Sequence, residues 1–165
     1  MTFFDAEKLV CDALTLYYTD YEPQSCFVAE INGEVVGCLI GAKNKMASER
    51  VIFGKIVPRL IWDALLSGAL FKAKNLTFLF QVLSSMGRGE FKMPDFIEKY
   101  PAAMHINIKE GCRGLHIGKQ LIAAYLDYLR QEKIPGLSLA TMTKGAGEFF
   151  SKQGFELLYS GKRSY

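Results

Sequence analysis

The sequence predicts an α/β fold: a mixed central sheet with helices packed on both faces. Three observations carry that expectation. Asn32-Gly33 separates two strand-like runs, Cys26 to Ile31 and Glu34 to Ile40, and is a strong two-residue hairpin signal. Met104 to Ile108 reads as a strand that leads through a basic, glycine-bearing turn into a helix-like run, Leu115 to Gln131. Gly136 to Thr141 reads as another strand, with a helical stretch after it.

Taken in order, Asp5 to Tyr18 places Leu9, Val10, Ala13, Leu14, Leu16 and Tyr17 at helical spacing, with Asp5 in an N-cap position. Asp20-Tyr21-Glu22-Pro23 ends that helix, and the hairpin follows. Lys43 to Tyr100 reads as a helical insertion ahead of the strand at 104. Within it, Pro58 suits a first helical turn. Leu60, Ile61, Ala64, Leu65 and Gly68, with Trp62, Leu66, Ala69 and Leu70 alongside, form a helix apolar on most sides. Leu76 to Met86 is apolar again and fits helix or strand. Gly87 to Pro94 breaks the pattern, and Asp95 to Tyr100 fits one short helix. On the next strand, alternation sets Met104, Ile106 and Ile108 on one face and His105 and Asn107 on the other.

The turn Cys112 to Ile122 is the most informative stretch. Gly114 and Gly118 let backbone approach a ligand without a Cβ in the way. Unpaired N–H groups at the following helix start, with the helix dipole, favour an anion there. Arg113 and Lys119 add positive charge. A P-loop is excluded, because Gly118-Lys119 is followed by Gln120, and the Gly-x-Gly-x-x-Gly dinucleotide spacing is absent. What fits is Arg/Gln-x-x-Gly-x-Gly/Ala, read here as Arg113-Gly114-Leu115-His116-Ile117-Gly118, with His116 where Gly is usual. Downstream, Ala146-Gly147-Glu148-Phe149-Phe150-Ser151-Lys152-Gln153-Gly154-Phe155 resembles Ala-x-x-Phe-Tyr-x-Lys-x-Gly-Phe. On these two motifs, across Met104 to Tyr159, the chain resembles the GNAT acyltransferases.

The resemblance implies a GNAT-type sheet and acetyl-CoA as cosubstrate. It implies that backbone N–H groups of Arg113, Gly114, Leu115, His116, Ile117, Gly118 and Lys119 hold the pyrophosphate. The strand before them would pair with the pantetheine arm as an added strand. Ile106 N–H would polarise the thioester carbonyl, Ile108 would bond a pantetheine amide, and Thr143 and Phe150 would lie against the cofactor. Two positions depart from the pattern. Ala102 stands where many relatives carry a basic Glu, and Phe150 stands where many carry a Tyr that protonates the departing thiolate. GNAT folds usually open with a strand, and almost nothing precedes Asp5 here.

His105, on a pocket strand, is the candidate general base; a hydrogen-bonded core histidine is the plainer reading. Tyr17, Tyr18, Tyr21 and Tyr159 are candidate acids, with aromatic packing the plainer reading for each. Asp20 and Glu22 would attract an amine, or form a solvated helix end. Cys112 beside the basic turn is a reactive thiol or a small structural side chain. The apolar insertion is a core or lid, a dimer interface or a lipid-facing surface; Arg59 and Asp63 oppose a membrane span. A homodimer through 58–86 is the specific expectation.

Composition narrows the classes further. The chain has 165 residues, 50% hydrophobic and 22% charged, which suits one domain over 1–165 with a sizeable core. A net charge of +3 is too small to argue nucleic-acid binding. The cysteines at 11, 26, 38 and 112 lack zinc-site spacing, so no metal is expected. With no signal-peptide pattern and no apolar run of about 18 residues, the expected compartment is the cytoplasm. The expected reaction is acetyl transfer from acetyl-CoA to an amine, on a small molecule or a peptide, by direct attack on the thioester. The competing reading is a non-catalytic acyl-CoA-binding module.

Overall fold

The computed structural model describes residues 7–68 and 96–161, with Thr77, Phe80, Ser84, Gly87 and Arg88 between them. Helix α1 (Glu7–Asp20) leads through a 3₁₀ turn at Pro23–Ser25 into strands β1 (Cys26–Ile31) and β2 (Glu34–Ala42). Helices α2 (Lys45–Val51) and α3 (Val57–Leu66) follow, joined by a π turn, Ile52–Ile56. Strand β3 (Ala102–Ile108), helix α4 (Ile117–Gln131), strand β4 (Leu137–Ser138) and helix α5 (Lys144–Lys152) complete the described order. The strands lie side by side as β1-β2-β3-β4, antiparallel except for the parallel β3–β4 pair, so the sheet is mixed as expected.

The hairpin forms where Asn32-Gly33 placed it. Both residues take positive φ, 53° and 79°, the backbone a primed two-residue turn requires. Alternation on β3 also holds: Ala102 and Met104 are buried, while His105 and Asn107 are exposed. The buried face packs on α4 through Ile117, Leu121, Ile122, Tyr125 and Leu129. Each such aliphatic side chain contributes roughly 1.5–3 kcal/mol when fully buried. Gly37 and Gly41 let α4 settle close to β2; a Cβ on Gly41 would overlap the Tyr125 ring. Tyr125 is fully buried, and its hydroxyl donates to the Ala103 carbonyl at 3.1 Å. On the other side lies a second cluster, Tyr17, Tyr18, Ala42, Ile56 and Leu60, where α1 and the α2–α3 arm meet the sheet.

Several boundaries differ from the sequence expectation. Helix α1 runs two residues further, to Asp20, and Asp5 lies outside the described residues. The insertion helix begins at Lys45 rather than near Pro58, capped by Asn44, whose side chain accepts from Ala47 N–H at 3.0 Å. Pro58 does sit in the first turn of α3. It has no N–H to offer Gly54, and the widened π turn just before it gives its ring room. Helix α3 stops at Leu66, where Gly68 takes a φ of 70°; Leu70 lies outside the described residues. Of Leu76 to Met86, Thr77, Phe80 and Ser84 are described, and they are helical. Of the helix expected at Asp95 to Tyr100, Asp95 lies outside the described residues, and the rest is a turn at Ile97–Lys99, with Pro101 disfavouring helical backbone at Tyr100. The strand expected over Gly136 to Thr141 pairs at Leu137 and Ser138 alone. It is pinned where Gly136 backs onto Lys99 and Tyr100, then drawn away by the start of α5 at Thr143.

Candidate active site

The site begins with that short pairing. Ala102 N–H donates to Gly136 O at 3.1 Å, toward β4, while Lys109 N–H donates to Val36 O at 2.8 Å, toward β2. The β2–β3 register is unbroken between them. Backbone groups alternate sides along a strand, so Met104, Ile106 and Ile108 turn their N–H and C=O groups toward β4's side. There β4 has already left the sheet. A pocket opens in the gap, with Met104, His105, Ile106 and Asn107 on one wall, Leu139, Ala140 and Thr141 on the other, and Ala146 and Phe150 from α5.

The glycine-bearing turn joins this strand to α4. Gly111, Gly114 and His116 all have positive φ, 87°, 90° and 60°. His116 is the N-cap of α4 and makes no side-chain cap bond, so no side chain caps the first helical N–H groups. Its left-handed backbone explains why glycine suits that motif position. Arg113, Gly114, Leu115, His116 and Lys119 are exposed, whereas Ile117 and Gly118 are buried. Gly118 has a packing reason beyond any ligand: a Cβ there would stand 3.1 Å from the Phe149 ring. The two motifs therefore touch each other. Cys112 packs half-buried against the α4 core cluster.

His105 lies on the sheet face opposite α4, with Tyr18 of α1 edge-on to its ring. Its surroundings, by desolvation, hold the imidazole pKa below the ordinary 6.5, although the residue keeps solvent access at the pocket wall. Phe150 packs edge-to-face between Phe149 and Phe155. Thr143 caps α5, its hydroxyl accepting from Ala146 N–H at 3.3 Å, a local duty that the motif did not announce.

The remaining candidates are dispersed. Glu22 is not a solvated helix end. It is buried and accepts from Tyr17 hydroxyl at 2.8 Å, Ser25 hydroxyl at 2.6 Å and Lys43 N–H at 2.8 Å. Burial, then that bond to Glu22, pushes the Tyr17 phenol far above its usual range, so it stays protonated. Burial also raises the Tyr18 phenol. Asp20 is exposed and accepts from Thr19 hydroxyl. Tyr21 stacks on Tyr17, and Tyr159 is exposed. Sequence reasoning missed the Tyr18–His105 contact, which no local pattern encodes.

No protein-family model and no curated protein sequence matches the chain. Solved acetyltransferase structures do match its fold. SsHAT superposes with a TM-score of 0.58 at 18% identity, over 93% of this chain and 75% of that one. A second acetyltransferase superposes with a TM-score of 0.50 at 20% identity, over 90% of this chain and 69% of that one. The chain has an acetyltransferase fold, the fold that the GNAT resemblance implies.

Proposed function

We propose that this protein transfers an acetyl group from acetyl-CoA to an amine. The observation that carries the reading is the gap beside β3, where Met104 and Ile106 line a pocket and the strand runs on into the uncapped start of α4. In this reading the pantetheine arm fills the missing strand position, bonding Ile108, and Ile106 N–H polarises the thioester carbonyl. Backbone N–H groups from Arg113 to Lys119 take the pyrophosphate. Thr143 and Phe150 flank the cofactor. His105 receives the amine proton as the nitrogen attacks. Positioning and carbonyl polarisation supply most of the rate enhancement.

The 1–165 chain is read as one acyltransferase domain with an insertion at 43–100, working in the cytoplasm. No described helix is long and apolar enough to cross a membrane. Self-association through 58–86 belongs to the same reading, because α3 exposes Ile61, Trp62, Leu65 and Leu66. Light scattering checks it: a monomeric mass for the parent protein rules the dimer out.

The main test is thermal. Acetyl-CoA that binds only the folded state raises Tm, and release of free CoA thiol with an amine present reports turnover. No shift and no thiol release over a broad amine panel would end the proposal. A shift without turnover would leave a non-catalytic acyl-CoA-binding module, which Ala102 and Phe150 favour.

A further inference from the structure

We propose that Tyr18 of α1 is a positioning residue, whose ring holds the His105 imidazole in one orientation on the pocket wall. The proposal rests on the acetyl-transfer reading, in which His105 takes the amine proton, and adds the group that orients that base. An imidazole used as a base is ordinarily oriented by a hydrogen bond at its other ring nitrogen. The His105 side chain has no hydrogen bond to a described residue. Its cross-strand partner, Ile40, is aliphatic and offers none. What meets the imidazole instead is the Tyr18 ring, edge-on, with centroids 6.1 Å apart.

Tyr18 is itself firmly held. It is buried, and it packs with Tyr17, Ala42, Ile56 and Leu60. Tyr17 meets its ring edge-on at 5.3 Å, and Cys26 Sγ donates to its carbonyl at 3.4 Å. Tyr17 in turn donates to the buried Glu22 carboxylate. The imidazole, by contrast, lies at the exposed pocket wall. A fixed ring therefore meets a freer one.

The hydroxyls separate Tyr18 from the other buried tyrosines. Tyr17 donates to Glu22, and Tyr125 donates to the Ala103 carbonyl. The Tyr18 hydroxyl has no hydrogen bond to a described residue. The contact with His105 is thus carried by the ring, and phenylalanine should serve in its place. Edge-to-face ring pairs favour one mutual arrangement by roughly two- to tenfold, which sets the size of the expected effect.

The test is a double-mutant cycle. Tyr18→Leu should lower kcat by about fivefold and leave KM for acetyl-CoA unchanged. Tyr18→Met, also without a ring, carries the same expectation should the leucine variant not fold. Tyr18→Phe should keep the parental kcat. In a His105→Ala background Tyr18→Leu should change nothing further, because no imidazole is left to orient. Proton NMR gives a readout without turnover: of the chain's two histidines, His105 should show a Tyr18 ring-current shift that persists in Tyr18→Phe and vanishes in Tyr18→Leu. Parental kcat in Tyr18→Leu, or equal losses in both backgrounds, overturns the proposal. So does an unaltered His105 signal in Tyr18→Leu. A loss in Tyr18→Phe as large as in Tyr18→Leu overturns it too, and makes the hydroxyl the acting group. Absence of turnover in the parent protein is a different failure, which removes the acetyl-transfer reading itself and the proposal with it.

Discussion

The Tyr18 ring stands edge-on to the His105 imidazole, with centroids 6.1 Å apart and an interplanar angle of 82°. Helix α1 thus supports the polar wall of the pocket from behind, and the imidazole is held by packing. His105→Ala should lower kcat about 100-fold if His105 takes the amine proton. An unchanged kcat in folded protein would hand that role to water. The same residue links stability to pH. Its folded pKa lies below the unfolded 6.5, so between those values the unfolded chain binds more protons. Its effect is to lower stability as pH falls below 6.5, with no effect above. Urea midpoints should decline less on acidification in His105→Asn than in the parent protein.

Gly118 and Phe149 test packing against ligand binding. A Cβ at Gly118 meets the Phe149 ring at 3.1 Å, so the ring must give slightly. Gly118→Ala should cost about 1 kcal/mol, the low end for overpacking. Gly41→Ala meets the fully buried Tyr125 ring and should cost about 3 kcal/mol. Denaturant titration of both variants decides the order. Equal losses would mean that Tyr125 relaxes as freely as Phe149.

Lys119 tests the turn without disturbing the core, because it is exposed on the first turn of α4. Lys119→Glu should weaken acetyl-CoA binding about tenfold, equivalent to roughly 1.4 kcal/mol, with the ligand-free Tm no lower, since a carboxylate in the first helical turn suits the helix dipole. Calorimetric titration is the measurement. Undiminished affinity would move the pyrophosphate away from this turn.

Glu22 anchors the α1–β1 corner. Glu22→Ala leaves the Tyr17 and Ser25 hydroxyls and the Lys43 N–H without their acceptor. A loss of about 3 kcal/mol is expected, since buried donors stranded by truncation are costly. Thermal denaturation would show it, and a loss under about 1 kcal/mol would mean that water replaces the carboxylate.

What the sequence disclosed was local. The hairpin followed from Asn32-Gly33, because positive φ at two adjacent positions is a property of those residues. The face alternation of β3 followed from period two. The strand–turn–helix around Gly114 was legible for the same reason, although His116 at a φ of 60° had to be tolerated by its neighbours. What stayed hidden depends on residues distant in the chain. The early end of β4 is set by Lys99 and Tyr100 behind Gly136 and by the cap at Thr143. The burial of Glu22 depends on Lys43 arriving from the end of β2. The contact of Gly118 with Phe149 joins two recognisable motifs through space, and neither motif states that the other is its neighbour.

The brevity of β4 also shapes how the molecule comes apart. Strands β1 to β3 share long backbone ladders, whereas β4 shares only two residues with β3. The segment from β4 through α5 is therefore held chiefly by side chains such as Phe149, Phe150 and Phe155 against the α4 core. Amide protection in that segment should be governed by its own opening, at a lower free energy than global unfolding. A molecule bridging the gap would act as a splint, and its affinity would be written into the exchange rates of the C-terminal third.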